Sequence, residues 1–74
     1  MEGKRVMPEG RIKWYNEKKG YGFIKTENGE EVFLPKTGIR DPGYFGLQKD
    51  DHVSFEIKKT NRGSQAFNVK SISL

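Results

Sequence analysis

Apolar positions along this 74-residue chain come in short runs and never in long ones. The clearest is HVSFEIK at residues 52–58, where Val53, Phe55 and Ile57 alternate with His52, Ser54, Glu56 and Lys58. A period of two marks a strand with one buried face. RIKWYN (11–16), YGFIKT (21–26), EEVFLP (30–35) and the segment 65–72 also read as strands. Turn signals separate them: NEKKG, Asn28-Gly29, Asp41-Pro42-Gly43 and Asn61-Arg62-Gly63. Asn-Gly predicts a type I′ hairpin, in which both central residues have positive φ. Residues 36–51 read as one long loop, with Ile39 and Leu47 stapling it to the core. Residues 1–9 read as a frayed lead-in, with Val6 the earliest strand position and Pro8 suited to an edge. No 11-residue window has helical periodicity. Five short strands predict an all-β fold closed into a small barrel, because closure removes unpaired edges.

Strand parity sorts the side chains into two faces. Tyr21, Phe23 and Lys25 share one face of the second strand, and Gly22, Ile24 and Thr26 the other. In the third strand Val32 and Leu34 oppose Phe33 and Pro35. Burying Ile24, Val32 and Leu34 turns Tyr21, Phe23 and Phe33 outward, beside Lys13, Lys19 and Lys25. The reverse choice would expel three aliphatic side chains and bury the stems of Lys25 and Glu31. Gly20 and Gly22 admit two readings: they keep the surface shallow beside the rings, or they mark a bulge or bend of the barrel.

Composition sharpens this pattern. Only 32% of the residues are hydrophobic, and nine of them are aromatic, so rings left outside are a real loss to the core. The net charge is +4, and residues 11–25 hold Arg11, Lys13, Lys18, Lys19 and Lys25 against Glu17 alone. The remaining basic and acidic residues cancel. The excess charge therefore lies where Trp14, Tyr15, Tyr21 and Phe23 also lie. Single-stranded nucleic acid is bound by cations on its phosphates and flat rings on its bases. With no cysteine, disulfides and thiolate metal sites are excluded, and a reducing cytoplasm is the natural setting. No run approaches the roughly 18 apolar residues of a membrane helix, and no signal-peptide core is present. His52 is the only histidine and reads as a solvated side chain rather than a metal ligand or general base. Asp50-Asp51 and Glu30-Glu31 are sequence neighbours on opposite sides of an extended chain, unsuited to sharing a proton. No catalytic residue, metal or cofactor is expected.

Taken in order, RIKWYN, KKGYGFIKT, EVFLP and TNRGSQAFNV resemble the bacterial cold-shock domain from about Glu9 to Ser73. KGYGFI is similar to that family's first ribonucleoprotein motif, and VFL to the start of its second. The resemblance implies a five-stranded antiparallel OB-type Greek-key barrel over residues 9–74, with 1–8 as a short extension. It implies a binder of single-stranded RNA and DNA that acts as an RNA chaperone or cold-shock-type regulator of transcription or translation; a monomer in the cytoplasm is expected. By the same resemblance Trp14, Tyr21, Phe23, Phe33 and Tyr44 stack on bases, with Tyr15 at the margin of that surface. Lys13, Lys19 and Arg62 meet phosphates or base edges, and Asn16 and Gln65 form hydrogen bonds. Parity alone puts Trp14 inside with Ile12, whereas the resemblance puts it outside; a bulge or strong twist would reconcile the two.

The chain also departs from the family pattern. Family members usually follow VFV with His and Phe, two further contact rings; here Pro35 and Lys36 stand in their place. Base–aromatic stacking contributes about 1–3 kcal/mol per base. Lys36 offsets part of that loss through phosphate attraction, which carries no base selectivity. The expected result is weaker, more salt-dependent and less pyrimidine-selective binding. Phe67 stands where a small residue is common, either thickening the core or extending the patch. KGYGF also opens the RNA-recognition-motif signature, but that fold needs helices the pattern does not contain. Exposed rings on a small barrel also suit proline-rich peptides, and a ribosome-associated OB module is a further alternative.

Overall fold

The computed structural model describes residues 8–43 and 46–72. Six strands follow one another: β1 (Glu9–Asn16), β2 (Tyr21–Thr26), β3 (Glu31–Pro35), β4 (Ile39–Asp41), β5 (His52–Thr60) and β6 (Gly63–Ser71). A 3-10 turn over Lys36–Gly38 links β3 to β4. β1, β2 and β3 form an antiparallel meander. β5 pairs antiparallel with both β1 and β6. The ring closes through a parallel bridge between Phe33 of β3 and Gln65 of β6. Five strands thus make the expected closed barrel, with one parallel seam in an otherwise antiparallel set.

The sixth strand, β4, runs parallel to β6 along the same edge that meets β3, and so continues the closing seam. It falls inside the segment expected to be a loop. Ile-Arg-Asp has no alternation long enough to read, and its pairing is with residues about thirty positions away. The earlier expectation of a strand start at Val6 lies outside the described residues.

Among the described residues eight apolar side chains fill the interior with no solvent exposure: Ile12, Ile24, Val32, Leu34, Val53, Phe55, Ala66 and Val69. Ile24, Val32 and Leu34 are the three that parity assigned inward. Tyr15, Ile39 and Leu47 pack partly buried against this cluster, the last two in the stapling role expected of them. Ile57 corrects the alternation of β5, since it is 36% exposed. Among the described residues β1 pairs with β5 only over His52–Ser54, which leaves Ile57 open on that side although it faces buried Ala66 on β6.

Two bulges adjust the period. In β1, Ile12 faces Ile24 but Trp14 faces Phe23, so β1 carries one extra residue. In β6, Ser54 faces Lys70 but Glu56 faces Phe67. There Asn68 takes a left-handed φ of 52°, a conformation Asn tolerates. Its side-chain amide donates to the Glu56 carboxylate at 2.7 Å. The bulge lets Ala66 and Val69, three residues apart, both point inward.

The turn after β2 also differs from expectation. Only Gly29 has positive φ, and its N–H donates to the Thr26 carbonyl at 3.0 Å. This is a three-residue loop with a left-handed glycine rather than a type I′ pair. The Thr26 hydroxyl donates to the Asn28 side-chain oxygen and accepts the Glu30 N–H. That local bonding favours the longer loop and shortens β3 to begin at Glu31.

Candidate nucleic-acid interface

The β1 bulge decides the character of the outer surface. One extra residue before Trp14 reverses its parity relative to Ile12, and Trp14 is 39% exposed. Its indole centre lies 5.3 Å from the Tyr21 ring and 5.6 Å from Phe23. Phe33 in turn lies 5.8 Å from both Tyr21 and Phe23. Tyr21, Phe23 and Phe33 are half-buried and none belongs to the core. Most of these contacts are edge-to-face or tilted, the arrangement the ring quadrupoles favour. Four rings therefore form one continuous surface over three strands.

Register extends that surface sideways. Trp14 faces Phe23, Phe23 faces Phe33, Phe33 faces Gln65, and Gln65 faces Lys58. Gln65 thus continues the aromatic row onto β6. Beside it is a hollow of about 330 Å³ lined by Phe23, Phe33, Thr60, Arg62, Ser64 and Gln65. Arg62 stands exposed on the turn between β5 and β6, at the edge of this hollow.

The cations around the rings are not equivalent. Lys13 forms an ion pair with Glu31, both side chains about half exposed at 47%. Lys36 Nζ lies 3.9 Å from Glu17. Among the described residues no carboxylate pairs with Lys19, Lys25 or Arg62. Lys25 lies directly opposite Arg11, and Arg11 opposite His52, so three basic side chains share one row beside the rings. His52 Nε2 is 3.0 Å from the Glu9 carboxylate. Among the described residues no three metal-ligating side chains come together.

The turn Asn16–Gly20 holds Lys19 in place. The Asn16 side-chain oxygen accepts the Lys19 N–H at 2.9 Å, and its backbone carbonyl accepts the Gly20 N–H at 2.8 Å. Gly20 has φ +81°, which explains the glycine, and its carbonyl accepts the Lys36 N–H. Asn16 is therefore committed in part to the turn. Gly22 points inward. A Cβ there would stand 2.3 Å from the Trp14 carbonyl oxygen and 2.7 Å from Tyr15 Cα. Of the two readings open for these glycines, backbone geometry accounts for both.

Tyr15 is the expected site residue that does not join the rings. It packs against the core and lines a hollow with Glu17, Lys36, Ile39, Pro42 and Leu47. Burial, and then the Glu17 charge, raise its phenol above the usual value of 10.0. Tyr44 lies outside the described residues. The structure also brings forward two residues that sequence reasoning left unassigned. Lys58 Nζ sits 5.9 Å from the centre of the Phe67 ring, outside the core, on the face that carries Gln65. Parity along β6 from buried Ala66 was the available signal for Phe67.

Comparison with known proteins agrees with this architecture. The family model described as 'Cold-shock' DNA-binding domain matches residues 8–72. Cold shock protein CspD of Bacillus subtilis is 49% identical over 63 residues, covering 85% of this chain and 96% of the relative. Cold shock protein CspB of Geobacillus stearothermophilus matches to the same extent. The major cold shock protein of a Streptococcus pyogenes serotype M6 strain is 39% identical over 67 residues, 90% of this chain and all of the relative. Among solved structures, drosophila Unr CSD456 superposes with a TM-score of 0.73 at 23% identity, covering 93% of this chain and 28% of that one. That likeness concerns the fold alone. A five-stranded barrel closed through β3 and β6, carrying its rings outside and its aliphatic residues inside, is what the matched segment builds. The chain belongs to the cold-shock domain family, a family of nucleic-acid-binding domains rather than enzymes.

Proposed function

We propose that this protein binds single-stranded RNA and DNA across the outer face of β1, β2 and β3 and acts as an RNA chaperone. The observation that carries this reading is the cluster of Trp14, Tyr21, Phe23 and Phe33, with neighbouring centres 5.3–6.5 Å apart and outside the core. Bases unstacked from a strand lie against such rings, and every base has a π-face, so contact is sequence-tolerant. Tyr44, outside the described residues, is a further stacking candidate by the family resemblance alone. Lys19, Lys25 and Arg62 meet phosphates directly, and Lys13 and Lys36 do so once drawn from Glu31 and Glu17. Gln65 and the free amide of Asn16 serve base edges. Tyr15 supports the surface from beneath by packing.

Melting of paired RNA needs no nucleotide hydrolysis on this reading. Binding the unpaired state alone shifts the equilibrium by mass action. Residues 9–74 act as one monomeric unit in the cytoplasm. Pro35 and Lys36 supply no ring at the end of β3, and Glu17 lies close to Lys36, so affinity is modest and strongly salt-dependent.

Trp14 is the only tryptophan and lies in the proposed site. Titration with oligo-dT or oligo-U should therefore quench its fluorescence, with affinity falling steeply between 50 and 200 mM salt. A flat signal together with no retention on single-stranded resin refutes the proposal. Quenching by a proline-rich peptide, insensitive to salt, favours a peptide-docking module instead.

A further inference from the structure

We propose that the nucleic-acid surface does not stop at β3 but turns onto β6, where Phe67 and Lys58 form one more nucleotide subsite. This inference rests on the reading of the aromatic face given above. Phe67 follows buried Ala66 on β6 and therefore points outward, in step with Gln65. It is half-buried and outside the core, so its ring is not there to fill the interior.

Pro35 lies between the four rings and Phe67. Pro35 faces Tyr21 across β2 and β3. Gly38 then brings Pro35 and Phe67 together: a Cβ built on it would lie 3.5 Å from Pro35 Cγ and 3.4 Å from Phe67 Cα. Tyr21, Pro35 and Phe67 thus form a second apolar line beside the row Trp14, Phe23, Phe33 and Gln65. Both lines cross from β2 to β6.

The polar groups around Phe67 give the subsite a direction. Lys58 Nζ stands 5.9 Å from the ring centre, close enough for a cation–π contact. A base covering the ring would displace that ammonium toward the adjoining phosphate, exchanging one favourable partner for another. Glu56 lies directly opposite Phe67, with its carboxylate held by the Asn68 amide at 2.7 Å. A fixed carboxylate repels phosphate and accepts hydrogen bonds from base amino groups. The base edge therefore faces Glu56 and the phosphate faces Lys58.

The test compares Phe67→Ala and Phe67→Leu with the parent protein, using oligo-dC of 3 to 10 nucleotides and following Trp14 fluorescence. Long oligonucleotides should lose about 5- to 150-fold in affinity for either variant, the loss of one stacked base. The shortest ones, which fill the four-ring cluster and still quench Trp14, should bind as before. Lys58→Gln should lower the salt slope for long oligonucleotides by about 0.7, the share of one phosphate contact on a single strand. Equal affinity of variants and parent for the long oligonucleotides overturns the subsite while leaving the main reading intact. Equal losses at every length assign Phe67 a structural role and overturn it too. No quenching in the parent protein removes both.

Discussion

Glu31 is the residue whose removal tests the electrostatic half of the site most directly. It forms an ion pair with Lys13 and faces Lys25 across the β2–β3 ladder, so one carboxylate screens two cations beside the rings. Both members of the Lys13 pair are half exposed at 47%, and exposed ion pairs contribute only about 0–1 kcal/mol. The substitution Glu31→Gln therefore costs the fold little. For binding the sign is opposite. A phosphate on Lys13 would stand roughly 6 Å from the Glu31 carboxylate, a repulsion of about 0.7 kcal/mol in water. Screening at 0.1 M salt, where the Debye length is about 10 Å, reduces this to about half. Releasing Lys13 from its partner adds a similar amount, so the variant should bind oligo-dT about 2- to 5-fold more tightly at 0.1 M salt. The logarithmic salt slope should steepen by less than about 0.7, the share of one phosphate contact on a single strand, because Lys13 meets a phosphate in the parent protein too. Trp14 quenching at several salt concentrations measures both, and urea unfolding checks the fold. An unchanged affinity and slope, with the fold intact, would show that Lys13 meets no phosphate.

Three other outcomes follow from the same geometry. Phe55→Ala removes the largest fully buried side chain, a loss of about 3–5 kcal/mol, which matches the whole net stability of about 3–5 kcal/mol expected of so small a core. It should be unfolded by circular dichroism, whereas Phe23→Ala, which gives up three ring contacts outside the core, should stay folded and lose roughly 5- to 150-fold in oligo-dT affinity. Gly22→Ala sets a methyl against the backbone of Trp14 and Tyr15, which cannot yield as a side chain would; a cost of about 1–3 kcal/mol should lower Tm by on the order of 10 °C. For Tyr15 the folded-state phenol is raised above the usual 10.0, first by burial and then by Glu17, so its contribution is fully present below pH 10. It is lost as pH rises from there through the folded-state value, and urea unfolding from pH 8 to 11 should show a decline that Tyr15→Phe reduces.

Much of the architecture was legible in the chain because a barrel strand writes its two faces as a period of two. Ile24, Val32 and Leu34 announced the interior, and their alternation with Phe23 and Phe33 announced rings outside. Parity taken alone misleads where that period breaks or where a strand runs past its neighbour. Trp14 carries the parity of Ile12 on paper and the opposite parity in space, because one extra residue enters β1. Ile57 keeps the alternation of β5 and yet is exposed, because among the described residues β1 pairs with β5 only as far as Ser54 and leaves that side of Ile57 open. Asn28-Gly29 reads as a two-residue hairpin, but the Thr26 hydroxyl bonds both Asn28 and Glu30 and holds a longer loop.

The sequence by itself determined the barrel, the composition of its core, and the concentration of charge and aromatic residues in one stretch, since each depends on local order along the chain. Tertiary structure alone decided that a bulge carries Trp14 to the rings, that Tyr15 packs on the core, that Glu31 holds Lys13, and that β4 pairs at all. It also decided that Phe67 borders Pro35, more than thirty residues away in sequence. These are facts of register and closure. A one-residue bulge turns a side chain from one face to the other, and a closed ring brings β3 beside β6. Neither event is written in the composition or periodicity of the residues it moves.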